Sequence, residues 1–172
     1  GLHSGHTPLV IPRAHDCITL YLGSKDKYLT EFNNYPGTFW YSVDYMERIE
    51  NEESGQLGAA GIAELEDQYE NFVQKYGKKR ADFLIEEIKS WTKHYERAVF
   101  VDTGLGDVKT YEEMAINRAE REGWKYERME GDRRLIQMLV DGNWPEEEFL
   151  IIQPGQSIEH SFDSGIVRTT LP

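Results

Sequence analysis

Three short apolar runs are the feature of this sequence that most constrains its fold. They lie at residues 9–11, 98–101 and 149–152, and their β-branched or aromatic side chains do not alternate with polar ones. Each run is followed, directly or one position later, by Pro or Asp. This pattern is typical of strands that are covered on both faces.

Segments with helical periodicity separate these runs. Thr110 and Glu113 have the spacing of a capping box, and Gly123 marks the end of the helix that they open. From residue 98 to residue 152 the order strand–helix–strand–helix–strand predicts parallel strands joined by right-handed crossovers. The predicted class is α/β, with a mostly parallel sheet and helices on both faces in three α/β/α layers. Helices are predicted at residues 16–22, 24–33, 62–76, 83–95, 110–123 and 132–140, and two further strands at residues 38–42 and 124–129.

The length of 172 residues suits one α/β domain, which we place at residues 1–157. Residues 158–172 are rich in Ser and Thr and are predicted to form a peripheral tail. Residues 51–61 combine Gly, Ser and Glu, so they are the predicted mobile connection.

The composition limits the partners and the compartment. A net charge of −12 argues against a nucleic-acid surface and against adsorption to anionic membranes. A single cysteine excludes an intramolecular disulfide, and no apolar stretch approaches the roughly 20 residues that span a bilayer. We therefore expect a cytoplasmic protein with neither a nucleic acid nor a membrane as partner.

The densest reactive chemistry directly follows the first apolar run. Arg13 offers a fork suited to a carboxylate or a phosphate, and His15 is a candidate base. Asp16 is positioned to cap the next helix, which would place Cys17 in its first turn, where the helix end favours a thiolate. The structural alternatives are a cap for Asp16, a carboxylate partner for Arg13 and a buried position for Cys17.

A metal site is an alternative role for the same segment. His15 and Cys17 are a possible pair of ligands for zinc or iron, and His3 and His6 lie nearby in the sequence. However, neither a Cys-x-x-Cys nor a His-Glu-x-x-His motif is present.

Three polar loops follow the three apolar runs, at residues 13–17, 102–107 and 153–155. If the runs are neighbouring parallel strands, these loops share one sheet edge, which is where open α/β sheets bind ligands. Asp102 is then a candidate for binding a metal or a hydroxyl, or it simply accepts hydrogen bonds from its own turn. Gly104 and Gly106 resemble a phosphate-binding turn, but no third glycine stands at the dinucleotide-binding spacing.

Several segments together resemble the prokaryotic family named domain of unknown function 1638 (DUF1638). The resemblance spans about residues 1 to 157 and marks Gly23 and Ser24 as further candidate binding residues. It is carried by Val10-Ile11-Pro12-Arg13-Ala14-His15-Asp16-Cys17-Ile18, Leu22-Gly23-Ser24, Tyr28, Pro36-Gly37-Thr38, Gly131-Asp132, Leu139, Gly142, Trp144, Phe149-Leu150 and Pro154-Gly155.

The resemblance implies occurrence in anaerobic archaea, including methanogens, and in bacteria, beside genes for corrinoid-dependent methyl transfer. It also implies a region preceding Gly1 with a Gly- and Cys-containing turn, which would complete a metal or thiol site. The leading hypothesis is a protein that handles a small molecule or a corrinoid-related cofactor in one-carbon metabolism. The alternatives are an accessory protein that docks on a methyltransferase or corrinoid protein, and a metal-binding protein that uses His15 and Cys17.

Overall fold

The structure is a computed structural model that describes residues 5–51 and 65–170. It confirms the mixed α/β class. The strands are β1 (Leu9–Pro12), β2 (Thr38–Tyr41), β3 (Arg97–Asp102), β4 (Lys125–Glu130), β5 (Phe149–Ile152), β6 (Ser157–His160) and β7 (Val167–Thr170). The helices are α1 (Cys17–Leu22), α2 (Lys25–Asn34), α3 (Val43–Asn51), α4 (Leu65–Tyr76), α5 (Lys78–Thr92), α6 (Val108–Glu122) and α7 (Arg134–Asp141).

The described residues fall into two compact units. Unit 1 contains residues 5–34 and 131–170, whereas unit 2 contains residues 35–51 and 65–130. Residues 157–170, predicted to be mostly a peripheral tail, form the β6–β7 hairpin of unit 1. The predicted domain boundary after residue 157 stays a prediction.

Unit 2 is built on a parallel sheet with the strand order β2-β3-β4. Residues 98–101 of the central strand are fully buried, as their apolar sequence predicts. Phe39 and Tyr41 of β2 pack in the same core as Ala115 and Ala119, which stand four positions apart on one face of α6. The predicted parallel pairing across β3, α6 and β4 is therefore confirmed.

The strand β5 does not join this parallel series, which corrects the predicted sheet. It pairs antiparallel with β1, with Leu9 opposite Ile152 and Pro12 opposite Phe149. The strands β6 and β7 form a further antiparallel pair. The prediction of one mostly parallel sheet is wrong because a short apolar run predicts a strand but does not specify its neighbour, which long-range packing selects. The three-layer arrangement stays a prediction.

Local signals for helix ends were mostly correct. Gly23 (φ 69°) separates α1 from α2, as predicted. The capping box at Thr110 is wrong, because Asp107 is the N-cap of α6 and accepts a hydrogen bond from the Thr110 amide. Tyr95, predicted on a helix, follows the end of α5 and packs against the core of unit 2. Helix α3 was not predicted, since it starts almost directly after β2.

Parts of the predictions lie outside the described residues. These parts are His3, residues 52–61 of the predicted mobile connection and the first turn of the helix predicted from residue 62. Among the helices of residues 5–51 and 65–170, none combines the length and apolar character needed to cross a membrane.

Candidate functional site

Arg13 follows β1 and is fixed by carbonyl oxygens from distant segments of unit 1. Its Nε donates to Glu146 O at 2.8 Å. Its Nη1 donates to Gly165 O at 2.8 Å and to Val167 O at 2.7 Å. A guanidinium has five N–H donors, and these three bonds leave the two on Nη2, which donate to no residue within the described ranges.

Arg13 borders an open cleft of about 670 Å³ in unit 1. The cleft is lined by residues from the start of α2, from β5 and the segment before it, from the β6–β7 turn and from β7, among them Lys25, Ser161, Asp163 and Arg168. Its volume lies within the range of roughly 300–1,000 Å³ that is typical of small-molecule sites.

The cations of this cleft differ in their partners. Lys25 Nζ donates to the carbonyl oxygen of Glu147 at 2.8 Å, whereas Arg168 forms an ion pair with the carboxylate of Glu159. In the part of the chain that the structure describes, neither Arg13 nor Lys25 forms an ion pair. Among the described residues, two cations whose side-chain hydrogen bonds go to carbonyl oxygens therefore border the cleft.

Asp163 shapes the cleft wall. Hydrogen bonds from Ser161 and from the Gly165 amide lower the pKa of Asp163 below its ordinary value, and the charges of Arg168 and Arg13 lower it further. The Gly165 amide donates to Asp163 Oδ1 at 2.8 Å. The carboxylate is thus ionised at neutral pH and holds its own turn together.

Asp16 has a clear structural role. Its Oδ1 accepts hydrogen bonds from the amides of Ile18 and Thr19 at 2.9 and 3.3 Å, so it caps α1 as predicted. Its Oδ2 accepts a hydrogen bond from the phenol of Tyr28 at 2.8 Å. Burial raises the pKa of Tyr28, and the hydrogen bond to Asp16 raises it further. Both carboxylate oxygens therefore have partners inside unit 1.

His15 and Cys17 flank this cap. The His15 ring stacks on Tyr28 with ring centroids 5.6 Å apart, and the His15 residue is exposed. Cys17 is exposed as well, so the alternative of a buried thiol is wrong. Within residues 5–51 and 65–170, no group of three or more His, Cys, Asp or Glu side chains is arranged to hold a metal ion. Catalytic and metal-binding roles for His15 and Cys17 stay predictions.

Gly23 and Ser24 form the turn between α1 and α2. A Cβ on Gly23 would lie 2.7 Å from both the Cβ and the carbonyl oxygen of Asp132. The Gly23 carbonyl accepts two hydrogen bonds from Arg134, whose Nη2 also donates to Glu148 at 2.6 Å. Ser24 Oγ accepts from the amide of Lys27, as an N-cap does. The structure gives both residues turn and packing roles, and their binding roles stay predictions.

Asp102 belongs to a charged network in unit 2. Its Oδ1 accepts from the Gly104 amide at 2.7 Å, and its Oδ2 forms an ion pair with Arg128. Arg128 also pairs with Glu112, which accepts a hydrogen bond from Tyr126 at 2.7 Å. The turn alternative proposed for Asp102 is therefore present, together with an ion pair that the sequence did not predict.

The two glycines of the same loop differ in their surroundings. Both have a positive φ, 70° for Gly104 and 74° for Gly106. A Cβ on Gly104 would meet nothing within 4 Å, whereas one on Gly106 would lie 2.6 Å from Val43 Cγ1. Gly106 is thus needed for close packing against the start of α3, and phosphate binding at either glycine stays a prediction.

The three loops do not share one sheet edge. Because β1 and β5 are antiparallel, the loop after Pro12 and the loop after Ile152 leave opposite ends of their two-stranded sheet. The loop after Asp102 leaves a different sheet in unit 2. The premise that these loops build one site is therefore wrong.

The structure joins Arg13 to residues that the sequence did not single out. Lys25 and Arg168 line the cleft with Ser161 and Asp163, three of them in or beside a turn that was predicted to be peripheral. The only sequence signal was the polar Ser-x-Asp-Ser-Gly turn at residues 161–165. A turn signal does not specify what the turn contacts.

Comparisons with known proteins place the chain in a family without giving an activity. Neither a curated protein nor a solved structure matches the chain. A family model described as "Protein of unknown function (DUF1638)" matches residues 1–140 of the 172. The chain belongs to the DUF1638 family.

Proposed function

We propose that unit 1 binds a small polar molecule with an anionic group in the cleft beside Arg13. One observation carries the proposal. The Nη2 of Arg13 has no acceptor and Lys25 has no carboxylate partner among the described residues, and both side chains border one cleft. Guanidinium and ammonium groups are the side-chain donors that form charge-assisted hydrogen bonds to carboxylates and phosphates.

The contacts of Arg13 prepare it for binding. Three carbonyl oxygens hold the guanidinium in one orientation. A side chain that is already ordered loses little conformational entropy when a ligand arrives, and this favours affinity. Carbonyl dipoles stabilise the positive charge without neutralising it, so the charge stays available to an anion.

Opposing charges limit how such a ligand is attracted. Glu146, Glu147 and Asp163 also line the cleft, and the whole chain carries a net charge of −12. Long-range attraction of an anion is therefore not expected. Affinity has to come from direct hydrogen bonds to Arg13 and Lys25, which act well within the screening distance of about 8–10 Å at physiological salt.

The more specific functional hypotheses from the sequence analysis also remain proposals. A link to corrinoid-dependent methyl transfer, as an enzyme or an accessory factor, rests on the family resemblance alone. A cytoplasmic location rests on the single cysteine. Docking on a methyltransferase or corrinoid protein, and metal binding at His15 and Cys17, stay predictions.

Inorganic phosphate is the probe for the cleft. We expect phosphate to raise the unfolding midpoint relative to chloride at the same ionic strength, by an amount that grows with phosphate concentration as linkage requires. Lys25→Met removes the ammonium at nearly constant length and should abolish most of this increase. Lys27→Met is the matched control, because Lys27 lies two positions later on α2 and does not line the cleft.

The outcomes separate the cleft from other sites. Equal phosphate responses in the Lys25→Met and Lys27→Met variants would show that the anion binds elsewhere. No phosphate response in the unaltered protein would contradict the proposal directly. Changing His15 and Cys17 together to Ala tests whether these two residues take part in binding beside Arg13. If phosphate still binds to the doubly changed protein, neither residue has a role in phosphate binding.

A further inference from the structure

Cations and carboxylates share the wall of the cleft. Arg13 Nε donates to the carbonyl oxygen of Glu146, and Lys25 Nζ donates to that of Glu147, each at 2.8 Å. Two consecutive peptide carbonyls therefore hold the two cations near each other. Glu146 and Glu147 also line the cleft, and neither carboxylate forms an ion pair with a residue that the structure describes.

A third carboxylate, that of Asp163, lies beside Arg13. A Cβ added at Gly165 would lie 2.9 Å from Asp163 Oδ1 and 3.2 Å from Arg13 Nη1. After the hydrogen bonds from Ser161 and Gly165, the charges of Arg168 and Arg13 also lower the pKa of Asp163, so the carboxylate is ionised at neutral pH. A positive and a negative group therefore stand next to the same point of the cleft wall.

A ligand with only negative charge fits this arrangement poorly. An anionic group bound to Arg13 also lies near the carboxylate of Asp163, and like charges at short distance repel each other. An ammonium group beside the anionic group of the ligand turns this repulsion into attraction, because it donates charge-assisted hydrogen bonds to a carboxylate.

We infer that the ligand of the cleft is a small zwitterion, with its anionic group at Arg13 and Lys25 and its ammonium group at Asp163. Free α-amino acids are the simplest class of this kind, because one carbon atom carries both groups. Leu150 and Val167 also line the cleft and offer apolar surface to an aliphatic side chain. The inference rests on the proposed function of the cleft and adds the second charge of the ligand.

Two acids with the same carbon chain test the inference. L-Norvaline is pentanoate with an ammonium group on its α-carbon, and NMR titration of the labelled protein at constant ionic strength measures the Kd of each. We expect norvaline to bind roughly tenfold more tightly, which is the scale of one hydrogen bond between charged groups. Equal affinities, or tighter binding of pentanoate, would overturn the inference.

The Asp163→Asn variant removes the negative charge but keeps the size and an oxygen acceptor for the Gly165 amide. It should remove the advantage of norvaline, because norvaline loses an attraction and pentanoate loses a repulsion. Norvaline binding should therefore weaken while pentanoate binding strengthens. Asp141→Asn is the matched control and should change neither affinity, since Asp141 is an exposed aspartate of unit 1 that does not line the cleft.

The other outcomes contradict defined parts of the inference. If norvaline keeps its tenfold advantage in the Asp163→Asn protein, the ammonium group binds elsewhere and the assignment to Asp163 is wrong. If Asp163→Asn weakens both acids equally, Asp163 only supports its turn, and the assignment is wrong as well.

The anion site and the zwitterion can fail separately. If both acids bind equally and Lys25→Met weakens both, the anion site stands and the zwitterion is contradicted. The same holds if neither acid binds while phosphate still raises the unfolding midpoint. If phosphate has no effect either, the inference and the proposed function are both contradicted.

Discussion

Tyr28 donates its phenol hydrogen bond to Oδ2 of Asp16 at 2.8 Å, while Oδ1 of the same carboxylate caps α1. One side chain therefore fastens the start of α1 to α2. Asp16→Ala should lower the free energy of unfolding by about 2 kcal/mol, because the cap is lost and the Tyr28 hydroxyl loses its acceptor. Urea denaturation measures this loss.

The Tyr28→Phe variant is the control for this prediction. It removes only the phenol bond and keeps the cap, so its loss should be about 1 kcal/mol. An Asp16→Ala protein as stable as the unaltered chain would show that neither the cap nor the bond to Tyr28 contributes to the free energy of unfolding.

The second stability prediction concerns Gly23. Gly23→Ala should cost about 2–5 kcal/mol, because the left-handed backbone disfavours a Cβ and that Cβ would lie 2.7 Å from Asp132. Gly142 has a similar φ of 74° with nothing within 4 Å, so Gly142→Ala should cost only about 1–2 kcal/mol. Chemical denaturation measures both losses. If Gly23→Ala and Gly142→Ala lowered the free energy of unfolding equally, the end of α1 and Asp132 would move apart at little cost.

Ile166 is a buried β-branched residue with a φ of 64°, a region that costs such side chains about 1–2 kcal/mol. Both Ile166→Ala and Ile166→Gly should destabilise the protein through lost burial. The Gly variant should be the more stable of the two by about 1 kcal/mol. At Ile152, buried in β5, the order should reverse, because a strand favours Ala over Gly. Thermal unfolding of the four variants checks both orders.

Tyr41 makes unit 2 sensitive to alkaline pH. Burial raises the pKa of Tyr41 to about 12 in the folded protein, compared with 10 for an ordinary tyrosine. Its contribution to stability is therefore fully present below pH 10 and is lost as the pH rises from about 10 to 12. Tyr41→Phe should reduce this loss by about 2–3 kcal/mol, since a phenyl ring does not ionise.

Denaturation of both proteins at pH 8, 10, 11 and 12 measures the effect. The difference in the free energy of unfolding between the two proteins should be nearly the same at pH 8 and 10 and should shift in favour of Tyr41→Phe above pH 11. Parallel losses over the whole range would show that the Tyr41 phenol is hydrated in the folded state.

Local sequence patterns predicted most of the elements correctly. The apolar run at residues 149–152 coincides with β5, and the helices before Gly23 and Gly123 end at those glycines. The cap at Asp16 is equally local, because the acceptor and its donors lie within three positions. Such features follow from the conformational preferences of a few neighbouring residues.

The candidate site could be predicted only in part. The sequence singled out Arg13 as the residue for an anion, and the structure places it at a cleft. It did not find Lys25 or Arg168, and it grouped Asp102 with Arg13 although they belong to different units. The reason is that the grouping assumed a single sheet, and no local signal shows which strands pair.

The sequence by itself determined most of the element types, the cap at Asp16 and the mixed α/β class. Only the tertiary structure decided that β1 pairs with β5 and that Arg13 bonds to Val167, 154 positions later. These contacts bring distant segments together, so their stability depends on the packing of the whole unit and on the entropy of closing long loops. The reactive residues from Pro12 to Cys17 are neighbours in the sequence, but the cleft beside Arg13 forms only because the distant β6–β7 hairpin packs there.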